Sequence, residues 1–216
     1  MGGRISGCAC NRRLVANELP AMTAHLSPIP PLRGLTDISV RPAQIADAAY
    51  FPSIERSAGT LFETVPELAW LAAAPDRSVP QYRALISEGL SWTAVTPEGH
   101  RAGFLSSALA ESEIHIWELA VSRPYQRKGI GGALLSEAVA EARNRGLAAI
   151  TLTTFGDLPW NAPFYARNSF TILPDEEITA RLRAVLDQES AQGLPLDRRR
   201  AMRLCLSASS GTGTGG

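Results

Sequence analysis

The alternation of apolar and polar positions divides the chain into stretches of different period. From Ser91 onward the texture is that of strands: SWTAVT (91–96) and AGFLSSALA (102–110) flank the turn signal PEGHR and predict a hairpin. EIHIWELAV (113–121) predicts a third, mostly apolar strand. The period then lengthens, because Ala133, Leu134, Leu135, Ala138, Val139 and Ala142 fall on one helical stripe that ends near Gly146. AAITLTTF (148–155) reads as a strand, PWNAPFYARNSF (159–170) as a short helix leading into the strand FTIL, residues 175–191 as a helix with an acidic start, and RRRAMRLCL (198–206) as a last strand. Ahead of these, ISVRP (38–42) predicts a first strand that stops at its proline. Ile45, Ala48, Ala49 and Ile54 share a helical face within 43–58, with a kink expected at Pro52, and a broken helical region covers 65–89. No internal repeat is visible. Strands interleaved with helices imply a single mixed α/β domain.

Composition narrows the partners. The chain has 216 residues, 45% of them apolar, enough to bury a sizeable core, and a formal net charge of zero. That balance gives no bulk attraction to nucleic acid or to an anionic membrane, and neither is expected as a partner. Cys8, Cys10 and Cys205 make neither a disulfide framework nor a four-ligand zinc site, and His25, His100 and His115 lack metal-site spacing, so no metal is expected and a cytoplasmic location is. MGGRIS fits an N-myristoylation pattern with Cys8 and Cys10 nearby, and ISGC loosely resembles a lipoprotein cleavage site without the apolar run that should precede it. The plainer expectation is a disordered leader over 1–36, a folded domain over 37–206 and a disordered Gly/Ser/Thr tail over 207–216, with Met22 an alternative start.

The chemistry concentrates in VSRPYQRKGIGGALLSEAV (121–139), where Lys128 is the one lysine among the 21 Lys and Arg residues of the chain. A loop follows a strand, and glycines open a helix. Helix N-termini leave backbone N–H groups unpaired and carry partial positive charge, and glycine lets a backbone approach an anion closely. Such a turn suits a pyrophosphate, with Arg127 and Lys128 as cations at its mouth. A dinucleotide-binding turn places its glycines nearer the strand, and a P-loop lysine follows the second glycine; neither spacing is present.

Gln126-Arg127-Lys128-Gly129-Ile130-Gly131 resembles the Q/R-x-x-G-x-G/A signature of the GCN5-related N-acetyltransferase (GNAT) superfamily. ELAV (118–121) is similar to the end of that family's fourth strand, and WNAPFYARNSF (160–170) to its later motif with an Asn and a Tyr on a short helix. The likeness spans roughly 37–173, and the helix before the last strand departs from it. The resemblance implies a mixed sheet with splayed central strands and direct transfer of an acetyl group from acetyl-CoA to an amine. It further implies that the backbone of Arg127, Lys128, Gly129, Ile130, Gly131 and Gly132 binds phosphates, with Gln126 orienting the loop and Asn161 near the pantetheine arm. A backbone N–H near Leu119 or Ala120 would face the thioester oxygen, with Val121 pairing to the pantetheine.

Tyr165, four residues after Asn161 and so on the same helical face, matches the family's general acid. A lysine-like amine is neutral in only about one molecule in a few thousand at pH 7, so a base is needed. Glu118 and His115 are the candidates; a regular strand puts them on opposite faces, and a bulge changes that. For the acceptor amine, Phe51, Phe62, Trp70 and Trp160 with Glu55, Glu63 and Glu67 are the aromatic and acidic residues of the regions that usually build its pocket. Its identity stays open, as do a monomer or a homodimer, a longer acyl donor, and a non-catalytic acyl-CoA sensor on the same fold, which needs neither Tyr165 nor Glu118.

Overall fold

The alternating segments assemble into a seven-stranded sheet in the computed structural model, which describes residues 38–206. The leader, with MGGRIS, Cys8 and Cys10, and the Gly-rich tail lie outside the described residues. The strands are β1 (Ser39–Pro42), β2 (Trp92–Val95), β3 (Arg101–Ala110), β4 (Glu113–Val121), β5 (Ala149–Phe155), β6 (Thr171–Ile172) and β7 (Arg199–Cys205). The helices are α1 (Phe51–Gly59), α2 (Val79–Ser87), α3 (Ile130–Asn144), α4 (Ala162–Arg167) and α5 (Ala180–Ala191). Spatial order is β1-β2-β3-β4-β5-β7-β6, antiparallel throughout except for the parallel pair β4–β5. That pair needs a crossover, and α3 supplies it.

Helices cover both faces, so the expected mixed α/β architecture is present. On one face Leu134, Leu135, Ala138 and Ala142 of α3 pack on Leu105, Ile114, Ile116, Ile150 and Leu152. Each such fully buried Leu or Ile contributes roughly 1.5–3 kcal/mol. On the other face Phe51, Ile54, Tyr82, Leu85 and Ile86 of α1 and α2 close over Phe104 and Ala120, and α5 sets Leu182 and Leu186 against Ala201. No helix among the described residues is long and apolar enough to cross a membrane.

Three local departures from the sequence pattern have plain causes. Pro52 does not kink a helix; it sits in the first turn of α1, where its missing N–H has no intrahelical partner, and Ile45–Ala49 form a separate 3-10 turn. The region 65–89 breaks into a 3-10 segment, Pro66–Ala73, and α2, which starts from a reciprocal Ser78–Gln81 capping box. The acidic run Asp175–Glu177 forms its own turn, and α5 begins at Ala180 because the Thr179 hydroxyl accepts the Leu182 N–H at 3.3 Å.

Asp47 ties the edge of the sheet together. Fully buried, it accepts from both terminal nitrogens of Arg41 on β1 (2.7 and 3.0 Å), from Arg101 Nε on β3 (2.9 Å) and from the Gln44 N–H (2.8 Å). Burial pushes its pKa up, but the Arg41, Gln44 and Arg101 contacts together outweigh that and hold it below the ordinary Asp value. Its contribution to stability is therefore complete above that ordinary value and is lost as pH falls through the lower folded one. Asp47→Ala strands two arginines at the sheet edge and is expected to cost about 3–5 kcal/mol in urea unfolding at pH 7. The variant should also show a shallower acid destabilisation than the parent below about pH 4.

Candidate active site

β4 pairs with β5 only from Glu113 to Ile116, opposite Ala149 to Leu152. Past that point β4 stays with β3 and β5 stays with β7, so the sheet parts between them. At the same place β4 carries one residue too many: Ser107 faces Ile116 and Ser106 faces Glu118, leaving Trp117 as a bulge. The bulge shifts the side-chain alternation by one. Ile114, Ile116, Leu119 and Val121 all point to the α3 face, while Ala120 packs with Phe51, Tyr82 and Phe104 on the α1–α2 face. Glu118 and His115, on opposite faces of a regular strand, are thereby turned to the same one.

The parting leaves peptide groups without a sheet partner. The Ser122 N–H donates to the Ala102 carbonyl at 2.9 Å. Bonded and non-bonded pairs alternate along an antiparallel ladder. With Val121 opposite Gly103, Ala120 opposite Phe104 and Leu119 opposite Leu105, the polar groups of Leu119 and Val121 turn toward the gap, and those of Ala120 toward β3. The Val121 carbonyl is occupied, since Gln126 Nε2 donates to it at 3.0 Å and so fastens the following loop to the end of β4. The Leu119 N–H is the donor that the geometry leaves facing the gap.

Glu118 lies half-buried at the floor of this opening. Burial, and then the charge of Glu55, push its carboxyl up to about 8, against the pull of Arg77, Arg199 and the Leu119 N–H. Glu55, on α1, is itself raised, chiefly by burial; its Oε2 accepts from the Tyr82 hydroxyl and from the Arg77 backbone N–H (3.3 Å). The two carboxyls thus share a weakly solvated corner. Tyr165 reaches the same corner from α4, its ring against Phe164 and Phe170. Burial and the charge of Glu118 hold its hydroxyl well above the ordinary tyrosine range, so it stays protonated.

Asn161 caps α4 with its backbone carbonyl, which accepts the N–H groups of Phe164 (2.8 Å) and Tyr165 (3.2 Å), and its side chain makes no capping bond. At the other side of the gap α3 starts at Gly129 without a side-chain cap, with φ of +81° there and +60° at Arg127. Ala133 is the first residue of the helix whose N–H returns to the turn, at 3.0 Å from the Gly129 carbonyl. The N–H groups of Ile130, Gly131 and Gly132 are left outward at the positive end of the dipole, an anion site in form. Arg127 and Lys128 are exposed beside it, and Lys128 Nζ sits 5.6 Å from the centre of the Tyr125 ring. Gly131 has a packing reason too: a Cβ there would meet Phe164 Cζ at 3.1 Å, so the glycine lets α3 approach α4.

Other candidates stand apart. His115 lies in the closed part of the sheet, 1% exposed, with Nδ1 3.1 Å from Thr151 Oγ1 and no hydrogen-bond partner for Nε2 among the described residues. Burial first, and Arg181 second, lower its pKa to about 4, which keeps the ring neutral. Phe51 is fully buried and stacked on Phe104 at 4.0 Å, so it builds core rather than pocket. Phe62 and Trp160 join the Phe155 cluster, whereas Trp70, Glu63 and Glu67 are exposed. Three residues near Glu118 carried no signal in the sequence pattern: Arg77, Tyr82 and Arg199. Each comes from a segment distant in the chain, and only packing brings them together.

Residues 59–170 match the sequence model of the acetyltransferase (GNAT) family. Among solved structures, the chain is similar to the PaiA N-acetyltransferase from Thermoplasma acidophilum in complex with coenzyme A (17% identity, TM-score 0.57, covering 78% of this chain and 99% of that one). It is similar to the ribosomal-protein-S18-alanine N-acetyltransferase from Escherichia coli (18% identity, TM-score 0.57, covering 81% and 97%). It also resembles N-acetylglutamate synthase from Neisseria gonorrhoeae, complexed with coenzyme A and N-acetyl-glutamate (21% identity, TM-score 0.56, covering 79% of this chain and 35% of that one). At these identities the likeness is one of fold.

The carboxyl pair gives a direct measurement. Carbon-13 NMR of labelled glutamate side chains should find the Glu118 carboxyl titrating several units above an ordinary glutamate. Glu55→Gln removes the neighbouring charge and is expected to lower that titration, the part due to burial remaining. A Glu118 resonance titrating in the ordinary range in both proteins would remove the case for a perturbed pair.

Proposed function

We propose that this chain, which belongs to the acetyltransferase (GNAT) family, moves the acetyl group of acetyl-CoA to a primary amine by direct attack of the amine on the thioester. The observation that carries the reading is the parting of β4 from β5 at the Trp117 bulge, which turns the Leu119 N–H into the gap beside Glu118 and Tyr165. The uncapped start of α3 supports it from the other side, because a pyrophosphate needs donors held outward near positive charge.

In this reading the gap receives the pantetheine arm, with Leu119 and Val121 along one wall and Asn161 and Tyr165 along the other. Arg127, Lys128 and the N–H groups of residues 129–132 hold the phosphates, and Gln126 keeps that loop fastened to β4. Leu119 donates to the thioester oxygen as negative charge develops there, in a site partly shielded from water where one such donor is worth about 3 kcal/mol or more. Glu118 accepts the proton that the attacking nitrogen loses; a carboxyl pKa near neutrality matches a base that must both take and release a proton. The C–N bond forms as the C–S bond breaks, and Tyr165, still protonated, gives its proton to the sulfur. His115, neutral and enclosed, has no part in this scheme; it supports the closed end of the sheet through Thr151.

Purified protein warmed with acetyl-CoA, CoA, a longer acyl-CoA or ATP tests the cosubstrate, since a ligand bound only by the folded state raises the melting temperature. A shift with CoA species and not with ATP is expected, and no shift with any CoA species would sink the assignment. Gly132→Asp is expected to weaken acetyl-CoA binding more than tenfold by placing an anion on the helix start. Its melting temperature should hold or rise, because an acidic residue suits that helix position and Asn168 Oδ1, 3.8 Å from the added Cβ, leaves room. Tyr165→Phe should keep acetyl-CoA affinity and lose roughly a hundredfold in kcat, read by thiol release. The parent is expected to show an acid limb in kcat/KM near pH 8, and Glu118→Gln should lower kcat/KM and remove that limb.

A further inference from the structure

We infer that Arg77 is the anchor for a carboxylate on the acceptor, so that the amine taken by this protein carries a carboxylate close to its nitrogen. The inference rests on the N-acetyltransferase reading above and adds the acceptor's chemical class.

Among the described residues, the other half-buried arginines are all matched to carboxylates, and the arginines left without one, such as Arg83 on α2, are exposed to solvent. Arg199 meets Glu189 at 2.7 Å, Arg181 and Arg203 share Glu113, Arg198 meets Asp157 at 2.8 Å, and Arg56 pairs with Asp76. Arg77 is half-buried, and its guanidinium has no ion pair or hydrogen bond among the described residues. Glu55 and Glu118 act on this charge only through space, and a partly desolvated guanidinium whose N–H groups have no acceptor is unfavourable, so a ligand carboxylate that accepts from it would relieve it.

The side chain is also held in place for such a ligand. Its guanidinium carbon lies 6.0 Å from the centre of the Tyr82 ring and 5.9 Å from that of Trp117. Rings at that range attract the cation without accepting its N–H hydrogens, which leaves the fork that matches a planar carboxylate. The backbone is pinned as well: Asp76 is paired to Arg56, the Arg77 N–H donates to Glu55, and Ser78 opens α2 with its capping box.

The position relates to the reacting atoms. Trp117 is the bulge residue next to Glu118, and the Tyr82 hydroxyl donates to Glu55, whose charge acts on Glu118. Arg77 therefore stands on the acceptor side of the gap, beside the group that takes the amine proton, in reach of a second functional group on one small acceptor. Both sources of that group share the chemistry: the α-carboxylate of a free amino acid, or an acidic side chain next to a peptide N-terminus.

The test compares acetylation of free amino acids, the same amino acids as amides, and tripeptide amides beginning Asp-Ala or Ala-Ala, by thiol release at saturating acetyl-CoA. Carboxylate-bearing members should exceed their neutral counterparts in kcat/KM by roughly ten- to a hundredfold. Preference confined to the amino acids assigns the α-carboxylate; preference for the Asp peptide assigns the side chain. Arg77→Met should erase the preference while leaving acetyl-CoA affinity, measured by calorimetry, unchanged, and Arg77→Lys should restore part of it. Equal use of charged and neutral amines by the parent, or an equal loss for all acceptors in Arg77→Met, would overturn the inference while leaving the acetyltransferase reading intact. Absence of acetyl-CoA binding in the parent would overturn both.

Discussion

The structure turns on one surplus residue in β4. Trp117 has no partner on β3, and the strand absorbs it at the point where β5 ceases to follow. Had the register run on unbroken, Glu118 would face α3 and Leu119 the helices α1 and α2. The carboxyl would then be sealed in an apolar core that has no counter-charge for it, and the gap would lose its polar floor. A bulge is a small local change with a long reach, because alternation propagates along every residue after it. The same residue contributes the ring that lies beside Arg77, so the bulge both re-aims Glu118 and furnishes a wall on the side proposed for the acceptor.

Two kinds of recognition meet at that point and are built differently. The side proposed for acetyl-CoA is made mostly of main chain: the N–H of Leu119 and the uncapped first turn of α3. Backbone donors depend on where the chain runs more than on which side chains it carries, and the glycines here answer to geometry, Gly129 to its positive φ and Gly131 to the approach of Phe164. The side proposed for the acceptor is made of side chains from α1, from the segment before α2, from α2 itself and from β7. Glu55, Arg77, Tyr82 and Arg199 act on Glu118 through charge and burial, so its pKa is a property of the assembly rather than of the strand.

That division explains what the sequence made legible. The hairpin β2–β3, the limits of β4, the stripe of α3 and the short helix with Asn161 and Tyr165 all follow from local period and turn chemistry, and the structure has them where the pattern puts them. Pro52 was ambiguous for a local reason: a proline either breaks a helix or begins one, and only the position of the preceding 3-10 turn decides. The bulge left no mark, since EIHIWELAV reads equally well as a regular strand. In one dimension Glu118 is favoured over His115 without a geometric reason, and in three the two part company, because His115 lies where the strands are still paired and Glu118 just beyond. Arg77 was invisible in a chain with many arginines; it becomes distinct only when burial and partners are known together.

The charges of the α1–α2–α5 side then admit a simple argument. Along β5 and β7 the half-buried cations are neutralised in place: Arg181 and Arg203 hold Glu113 at the closed end of the sheet, and Arg199 holds Glu189 nearer the gap. Toward the gap the pattern is left incomplete in both senses: two carboxyls crowd together, the charge of Glu55 raising the affinity of Glu118 for a proton, and one half-buried guanidinium lies beside two rings without a hydrogen bond. Closing both deficits inside the protein would be easy, by pairing Arg77 with Glu55 or Glu118 directly. A direct pair would lower the Glu118 pKa, weaken it as a base and use up the fork of Arg77. With the cation a short distance off, beside two aromatic rings, the carboxyl keeps its raised affinity for a proton and the guanidinium keeps its N–H groups unbonded. On the proposed reading, an acceptor bearing one amine and one carboxylate would complete the arrangement with opposite ends of a single molecule.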